Sequence, residues 1–310
     1  MFVQRPLLTP VIVGFWCLTS GWLLAAKVLP SLQPGSPPGQ QALYTAGNRL
    51  VPVGWTVSWN DDPVGWALTT AHRSPLGGLN VDSRLHFERL PLEEVLPPWL
   101  RLLVQRAVGA GSAKTLDARG RLAINAEGEV RAFTSIVTLP GIAEQVVLNG
   151  TFDEGQMHVT IRAGDMLHET TRSFPQHIMI GDELSPQATL PGLYEGRRWT
   201  VPVFSPLRPR QSPIEILHAV VGGEESVFWD DSLVRAHVVS YHEDPTGHHE
   251  PRCRMWVDLS GRVLRQEALL LGARLSFLRR SDADAADLAA VAGEADAVSA
   301  AVIPDTEAGP

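Results

Sequence analysis

The sequence predicts an α+β fold that is mainly antiparallel β. We expect one large curved meander sheet, built as a single unit or as two similar halves, with one or two packed helices and an N-terminal transmembrane helix. Three observations carry this prediction. Apolar and polar residues alternate with a period of two in many segments, short turn sequences join these segments, and an uncharged run of helical length lies near the N-terminus. Strands joined by tight turns pair antiparallel, whereas parallel strands need long crossovers.

The uncharged run comprises Pro6–Ala26, twenty-one residues between Arg5 and Lys27. At a rise of about 1.5 Å per residue, such a helix spans the roughly 30 Å hydrocarbon core of a bilayer. We therefore predict a membrane anchor in residues 1–30. A cleaved signal peptide ending near Ala26 is the alternative. Residues 31–50, rich in Pro, Gly, Ser and Gln, are predicted to be a linker.

The distribution of basic residues around the predicted anchor gives an orientation. Arg5 and the terminal amine precede the apolar run, and after Lys27 no basic residue follows before Arg49. This pattern favours a cytoplasmic N-terminus. We expect a single-pass protein of the bacterial inner membrane whose C-terminal domain is extracytoplasmic.

The predicted extracytoplasmic domain, residues 51–280, opens with a hairpin. Trp55 and Trp59 alternate with small or polar residues in its first strand, Asn60–Pro63 form the turn, and Trp66 lies in the return strand. Since side chains alternate between the two faces of a strand, we expect the three tryptophans to share one face.

Alternation predicts ten further strand segments. They are Leu79–Phe87, Arg121–Ala126, Glu129–Leu139, Glu144–Phe152, Gln156–Arg162, Trp199–Phe204, Ile214–Val221, Leu233–His242, Arg252–Asp258 and Arg262–Leu278. The tripeptide Trp-Thr-Val occurs at Trp55–Val57 and again at Trp199–Val201, which leaves open a duplication of the domain.

One segment between the predicted strands has helical periodicity. It starts near Pro98, carries an apolar stripe that includes Trp99 and Leu103, and ends at Gly109. We expect this helix to pack on the sheet.

The tail, residues 281–310, differs in composition from the domain. It holds seven acidic residues and no Lys or Arg, so the rest of the chain is close to neutral although the formal net charge is −8. Its Ala- and Asp-rich sequence without aromatic residues predicts disorder, or at most a transient helix around Ala283–Ala301. Because no basic patch with interleaved aromatic residues occurs, nucleic acid is not an expected partner.

Sequence motifs of common enzymes are absent. The sequence contains no G-x-S-x-G, no H-E-x-x-H and no glycine-rich phosphate-binding motif. We therefore expect no enzymatic activity and no cofactor.

The segment Tyr241–Cys253 is the strongest candidate for a metal site. Its possible ligands are His242, His248, His249 and Cys253, a set of side chains that zinc uses. Their spacing matches no familiar zinc pattern, however, and the intervening Asp-Pro-Thr-Gly sequence is typical of a turn. A plain hairpin loop is therefore the favoured interpretation, with the metal site as its alternative.

The tryptophans offer a candidate binding site for an apolar ligand. Trp55, Trp59 and Trp66 of the hairpin, together with Trp99 and Leu103 of the predicted helix, form either an aromatic core or an apolar groove. A groove between a curved sheet and its helix could hold an acyl chain or a hydrophobic peptide.

Strand-and-turn segments carry a resemblance to known envelope proteins. These segments are Gly192–Gly196, Trp199–Pro206, Val220–Glu225 and Trp256–Glu267. The domain resembles the half-barrels of lipoprotein carriers of the LolA and LppX type, and its second half is similar to bacterial envelope domains that precede transglutaminase-like domains. The anchor, Lys27–Pro30 and the Pro-Gly linker resemble membrane-anchored proteins of planctomycete-type bacteria. The resemblance implies a non-catalytic envelope module.

Together, the residue patterns and the resemblance predict a membrane-anchored module that binds lipid or a lipoprotein-like ligand in a groove of the sheet. A scaffold or accessory subunit of an envelope complex is the first alternative. A metal-dependent enzyme that uses the His242–Cys253 segment is the second.

Overall fold

The computed structural model describes residues 15, 16, 19, 20, 22, 35, 37, 38, 50–75, 77–90, 114–138, 145–173, 186–204, 214–244, 249–270 and 272–301. The elements are β1 (Val53–Trp59), β2 (Asp62–Arg73), β3 (Leu79–Leu90), β4 (Lys114–Ile124), β5 (Val130–Thr138), β6 (Val146–Asp153), β7 (Gln156–Ala163), β8 (Met166–Ser173), β9 (Arg198–Phe204), β10 (Ile214–Trp229), β11 (Ser232–His242), β12 (Cys253–Asp258), β13 (Val263–Leu270), β14 (Ala273–Arg279) and the helix α1 (Asp282–Ala301).

The fourteen strands form one continuous antiparallel sheet. Its order is β8-β7-β6-β5-β4-β3-β2-β1-β14-β13-β12-β11-β10-β9. Strands that follow one another in the chain are paired, apart from β8 and β9, which form the two edges of the sheet. In addition, β1 pairs with β14, the last strand. The prediction of a large antiparallel meander is confirmed, and among the described strands the two edges do not pair with each other.

One face of the sheet, here called the concave face, carries the main core. This core is one hydrophobic cluster with residues from β1–β3 and β9–β14. Its fully buried members include Trp55, Val57, Val239, Leu275 and Phe277. No second sheet among the described residues covers this face, so the sheet buries these side chains by curling on itself. The segment that precedes β9 adds further apolar side chains to the cluster.

The opposite face, here called the convex face, carries helix α1. A Cβ atom at Gly54 of β1 would lie 3.2 Å from Cα and Cβ of Ala285, so the helix approaches the strand where a side chain is missing. Ala285 and Ala292 are buried. At the start of the helix, the Ser281 hydroxyl accepts a hydrogen bond from the Asp284 backbone N–H at 3.1 Å and donates one to the Asp284 carboxylate at 2.8 Å.

Helix α1 differs from the predicted disordered tail. Residues 281–310 contain no aromatic residue and few large apolar side chains, which is why the sequence predicted disorder there. Small alanine side chains on one face nevertheless allow close packing on the strand, and the serine cap satisfies the first turn. Tertiary packing of this kind cannot be read from composition.

Strands form at every segment that alternation predicted, but three features were missed. Arg262–Leu278 is two strands, because a turn at Gly272 with a φ of 86° interrupts an apolar run that carries no polar turn signal. β10 continues past Val221 to a two-residue turn at Asp230 and Asp231, both with positive φ. The edge strand β8 was not predicted.

Several predicted features lie outside the described residues. They include the helix starting near Pro98 with Trp99 and Leu103, most of the predicted anchor, and His248. Within the described part of the chain, no helix combines the length and the apolar character that crossing a membrane requires.

Candidate functional site

The structure separates the three tryptophans that were predicted to share one face. Trp55 and Trp59 are 0% and 4% exposed on the concave face and belong to the main core. Trp66 lies on the convex face, where its ring stacks on His86 with centroids 5.4 Å apart. The prediction that the three tryptophans share one face is therefore wrong, and Trp55 and Trp59 contribute to an aromatic core.

A β-bulge in the first hairpin explains this separation. Ser58 lies opposite Pro63, whereas Val57 lies opposite Gly65, so Val64 is an extra residue on β2. Every later residue of β2 is shifted by one position relative to a regular hairpin. Because side chains alternate between faces, a shift of one residue sends the tryptophan of β2 to the opposite face.

A small hollow lies on the concave face beside the main core. It has a volume of about 100 Å³, and its lining comes chiefly from β2–β5. Leu85, Ala118, Leu122 and Phe133 supply apolar walls, and Ser83 is a polar group on the same face. Small side chains at the middle of β4 leave this space open.

An apolar stripe continues from the hollow across β4–β7. Leu122, Leu148, Phe152 and Ile161 are partly buried and pack around a second, smaller cluster that includes buried Phe133. Cross-strand pairs such as Leu148 with Ile161 place these side chains on the concave face. This part of the face is less covered by described residues than the main core.

The described members of the predicted metal segment do not converge. Cys253 pairs with Tyr241 and shares its concave face, whereas His242, the next residue on β11, points to the convex face. His249 Nδ1 lies 2.9 Å from an Asp244 carboxylate oxygen, and His242 Nδ1 lies 3.2 Å from the His249 carbonyl oxygen. Across the described ranges, no three His, Cys, Asp or Glu side chains come together as a metal site.

A polar cluster on the convex face, here called the Asp117 cluster, was not predicted. Asp117 of β4 accepts hydrogen bonds from Arg84 Nε and Nη2 at 3.1 and 2.9 Å and from Arg119 Nε at 3.3 Å. His86 Nδ1 lies 3.2 Å from the same carboxylate. The Arg84 guanidinium lies over the Trp66 ring, 5.5 Å from its centroid.

These contacts hold the carboxylate of the cluster in its ionised form. Burial of Asp117 acts to raise its pKa, but the hydrogen bonds and positive charge of Arg84, with His86 and Arg119, outweigh burial and lower the pKa. An ionised carboxylate between two arginines fixes the position of their guanidinium groups. Such an arrangement orients the guanidinium groups of Arg84 and Arg119 on the convex face.

The sequence contains a signal for this cluster that the alternation of single strands does not reveal. The motif D-x-R-x-H at Asp82–His86 pairs antiparallel with D-x-R-x-R at Asp117–Arg121. In this register Asp82 lies opposite Arg121 and His86 opposite Asp117. The complementarity becomes visible only once β3 and β4 are known to pair, because many residues separate the two motifs.

Comparisons with known proteins give similarity to solved structures, and to no family model or curated protein. The chain is similar to a solved β-barrel-like protein of a domain of unknown function, DUF1849, from Brucella abortus. The match has 13% sequence identity and a TM-score of 0.43, and it covers 74% of this chain and 96% of that chain.

Proposed function

We propose that the protein is a non-enzymatic, membrane-anchored envelope module that holds the acyl chain of a lipid on the concave face of β3–β7. The observation that carries the proposal is the partly buried apolar stripe that continues from the hollow across these strands. Elongated apolar surfaces of this kind suit a ligand that is itself long and apolar.

The proposed site differs in position from the groove that the sequence predicted. Trp55 and Trp59 belong to the filled core, so they are not part of the binding surface. The hollow of about 100 Å³ accommodates only one end of an acyl chain. The remainder of the chain would lie along Leu122, Leu148 and Ile161.

Native mass spectrometry of the full-length protein tests this proposal. We expect added lipid mass that is lost under denaturing conditions. Ala118→Phe, which places a ring in the hollow, should reduce the bound fraction at least fivefold. Ala132→Phe is the matched control, because it introduces the same ring on the convex face of β5.

A bare polypeptide mass for the wild-type protein would contradict lipid binding. Equal lipid retention by Ala118→Phe and Ala132→Phe would contradict the proposed position. A stoichiometric protein partner in place of lipid would favour a scaffold instead, for which the edge strand β8, with Met166 and Leu167 exposed, is the observation in favour.

A further inference from the structure

A row of hydroxyl groups crosses the hollow of the proposed lipid site. Ser83 of β3 lies opposite Thr69 of β2 on one side and opposite Gly120 of β4 on the other. Gly120 in turn lies opposite Ser135 of β5. Because directly opposite residues share a face of the sheet, all four are on the concave face, and all four line the hollow. The three side chains Thr69, Ser83 and Ser135 are here called the hydroxyl row.

Gly120 makes room for a ligand within this row. Its φ is not positive, so the backbone conformation of β4 does not require a glycine at this position. A Cβ atom there would lie 2.5 Å from Ser83 Oγ, which is too close for two such atoms. The missing side chain therefore leaves free the space beside the Ser83 hydroxyl, as glycine in a strand commonly does where another group approaches closely.

The hydroxyl row is available to a ligand. Within the described part of the chain, none of its three hydroxyl groups forms a hydrogen bond with another residue. Thr69 is nevertheless only 5% exposed. A buried hydroxyl without a partner raises the free energy of the folded state, and a hydroxyl can both donate and accept. A polar group of a ligand in the hollow would supply the partners that these residues lack.

The surroundings of the hydroxyl row favour an uncharged ligand group. Among the described residues of β2–β5, the two rows that flank it on the concave face are apolar and comprise Ala67, Leu85, Ala118 and Val137 on one side and Ala71, Val81, Leu122 and Phe133 on the other. Arg84, Arg119 and Arg121 also border the hollow. Their guanidinium groups contact carboxylates on the convex face, however. An ionised carboxylate or phosphate in the hollow would thus lose water without gaining a cation.

The hydroxyl row continues directly into the apolar stripe. Ser135 lies opposite Leu148 of β6, and Leu148 lies opposite Ile161 of β7. Three strand spacings separate Gly120 from Ile161, which corresponds to about 14 Å across the sheet. One line of residues is therefore polar over β2–β5 and apolar over β6 and β7. This order matches a ligand with a polar end and an extended apolar chain.

We propose that the site takes an uncharged lipid of the acylglycerol class, with its ester and glycerol hydroxyl groups in the hollow and its acyl chain along Leu148 and Ile161. The ester carbonyl accepts a hydrogen bond from the hydroxyl row, and the glycerol hydroxyls donate or accept. This inference rests on the proposed function, because it names the class and the orientation of the ligand at the same site. It distinguishes an acylglycerol from a free fatty acid, whose ionised end the hollow disfavours.

Calorimetric titration of the full-length protein with monolauroylglycerol and with laurate tests this inference. The two ligands carry the same acyl chain, and both are used below the concentrations at which they form micelles. At pH 8 laurate is ionised, since a carboxyl group has a pKa of about 4. Monolauroylglycerol should bind at least tenfold more tightly than laurate. The double variant Ser83→Ala/Ser135→Ala should bind monolauroylglycerol at least fivefold more weakly, with the laurate affinity unchanged within twofold.

Ser58→Ala/Thr160→Ala is the matched control, because it removes two hydroxyl groups from the convex face of β1 and β7. This variant should bind monolauroylglycerol as the wild type does. An equal loss in this control, or unchanged binding by the Ser83→Ala/Ser135→Ala variant, would overturn the role of the hydroxyl row.

The two ligands also separate this inference from the proposed function. Equal affinities for both, each weakened by Ala118→Phe, would overturn the acylglycerol class while lipid binding on the concave face stands. Tighter binding of laurate would place an ionised end at His168, which lies opposite Ile161 at the far end of the same row, and would also overturn the inference. Binding of neither ligand would overturn both proposals.

Discussion

A single buried carboxylate holds the turn between β12 and β13. Asp258, 4% exposed, accepts hydrogen bonds from the Ser260 backbone N–H at 2.9 Å and hydroxyl at 2.7 Å. It also accepts from the Arg262 backbone N–H at 2.9 Å and Nε at 2.8 Å. Arg262 in turn lies over the Trp229 ring, 4.7 Å from its centroid. One side chain thus connects a turn, an ion pair and an aromatic contact.

The ionisation of Asp258 makes stability depend on pH. Burial acts to raise its pKa, but the hydrogen bonds from Ser260 and Arg262 outweigh burial and lower the pKa. A carboxylate with a lowered folded-state pKa adds stability above its unfolded pKa of about 3.9, and that stability is lost as the pH falls through the folded pKa. The free energy of unfolding of the wild type should therefore fall on acidification below about pH 5.

Replacing this carboxylate should lower stability and flatten its acid dependence. We expect Asp258→Asn to lower the free energy of unfolding at pH 7 by about 1–3 kcal/mol, because hydrogen bonds to a charged group are lost. Its further loss on acidification should be smaller than that of the wild type. Chemical unfolding from pH 7 to pH 3 measures both effects. Asp153→Asn, at the exposed end of β6, should stay within about 0.5 kcal/mol of the wild type at pH 7. Equal behaviour of the two variants would contradict this role of Asp258.

At the scale of elements, alternation predicted where strands form but not how they are registered. The hairpin of β1 and β2 shows the reason. Its strands follow the apolar alternation, yet Val64 forms a bulge, and only the pairing with β1 reveals that Trp66 changes face. The Asp117 cluster was missed for the same reason, because its charges become complementary only in the register of β3 and β4. Local sequence specifies the strands, whereas a site built from several strands depends on long-range pairing.

Helix α1 should detach from the sheet when its closest contact is filled. A side chain at Gly54 would start 3.2 Å from the backbone of Ala285 and would then meet Leu288, so the helix has to move away. We expect Gly54→Leu to lower the free energy of unfolding by about 1–3 kcal/mol, as overpacking commonly does. Amide hydrogen exchange in α1 should become faster, whereas exchange in β12–β14 should not.

The control for this substitution is a strand glycine in an open position. A Cβ atom at Gly223 on β10 would meet only a Glu195 carboxylate oxygen, at 4.0 Å. Gly223→Leu should therefore change the stability by no more than about 0.5 kcal/mol. Unchanged exchange in α1 of Gly54→Leu would show that the helix is not held by this contact.

At the scale of the whole molecule, one continuous sheet carries hydrophobic clusters of very unequal size. The main cluster on the concave face draws buried residues from β1–β3 and β9–β14 and includes Trp55, Trp199 and Phe277. The cluster on β5–β7 contains only three buried residues, Phe133, Met157 and Val159. The backbone pairing is therefore continuous, but the strands of the main cluster bury many apolar side chains and β5–β7 bury few.

This inequality predicts that β5–β8 open locally before the rest of the sheet. Strands with few buried apolar contacts have low local stability even when their backbone hydrogen bonds are complete. Native-state hydrogen exchange should therefore give lower opening free energies for β5–β8 than for β12–β14. Local opening would also let a ligand reach the proposed lipid site on the concave face of β3–β7.

Two truncations of buried side chains test whether the halves are separable. Leu275→Ala, in the main core, should lower the global free energy of unfolding by about 2–5 kcal/mol and speed exchange throughout the sheet. Met157→Ala removes an equally buried side chain from the smaller cluster. Because the opening of β5–β8 does not require the main core to unfold, it should speed exchange in β5–β8 while the slowest amides of β12–β14 keep their wild-type rates. Equal acceleration of all strands by both variants would instead mean that the sheet unfolds as one cooperative unit, and ligand entry by local opening would then be excluded.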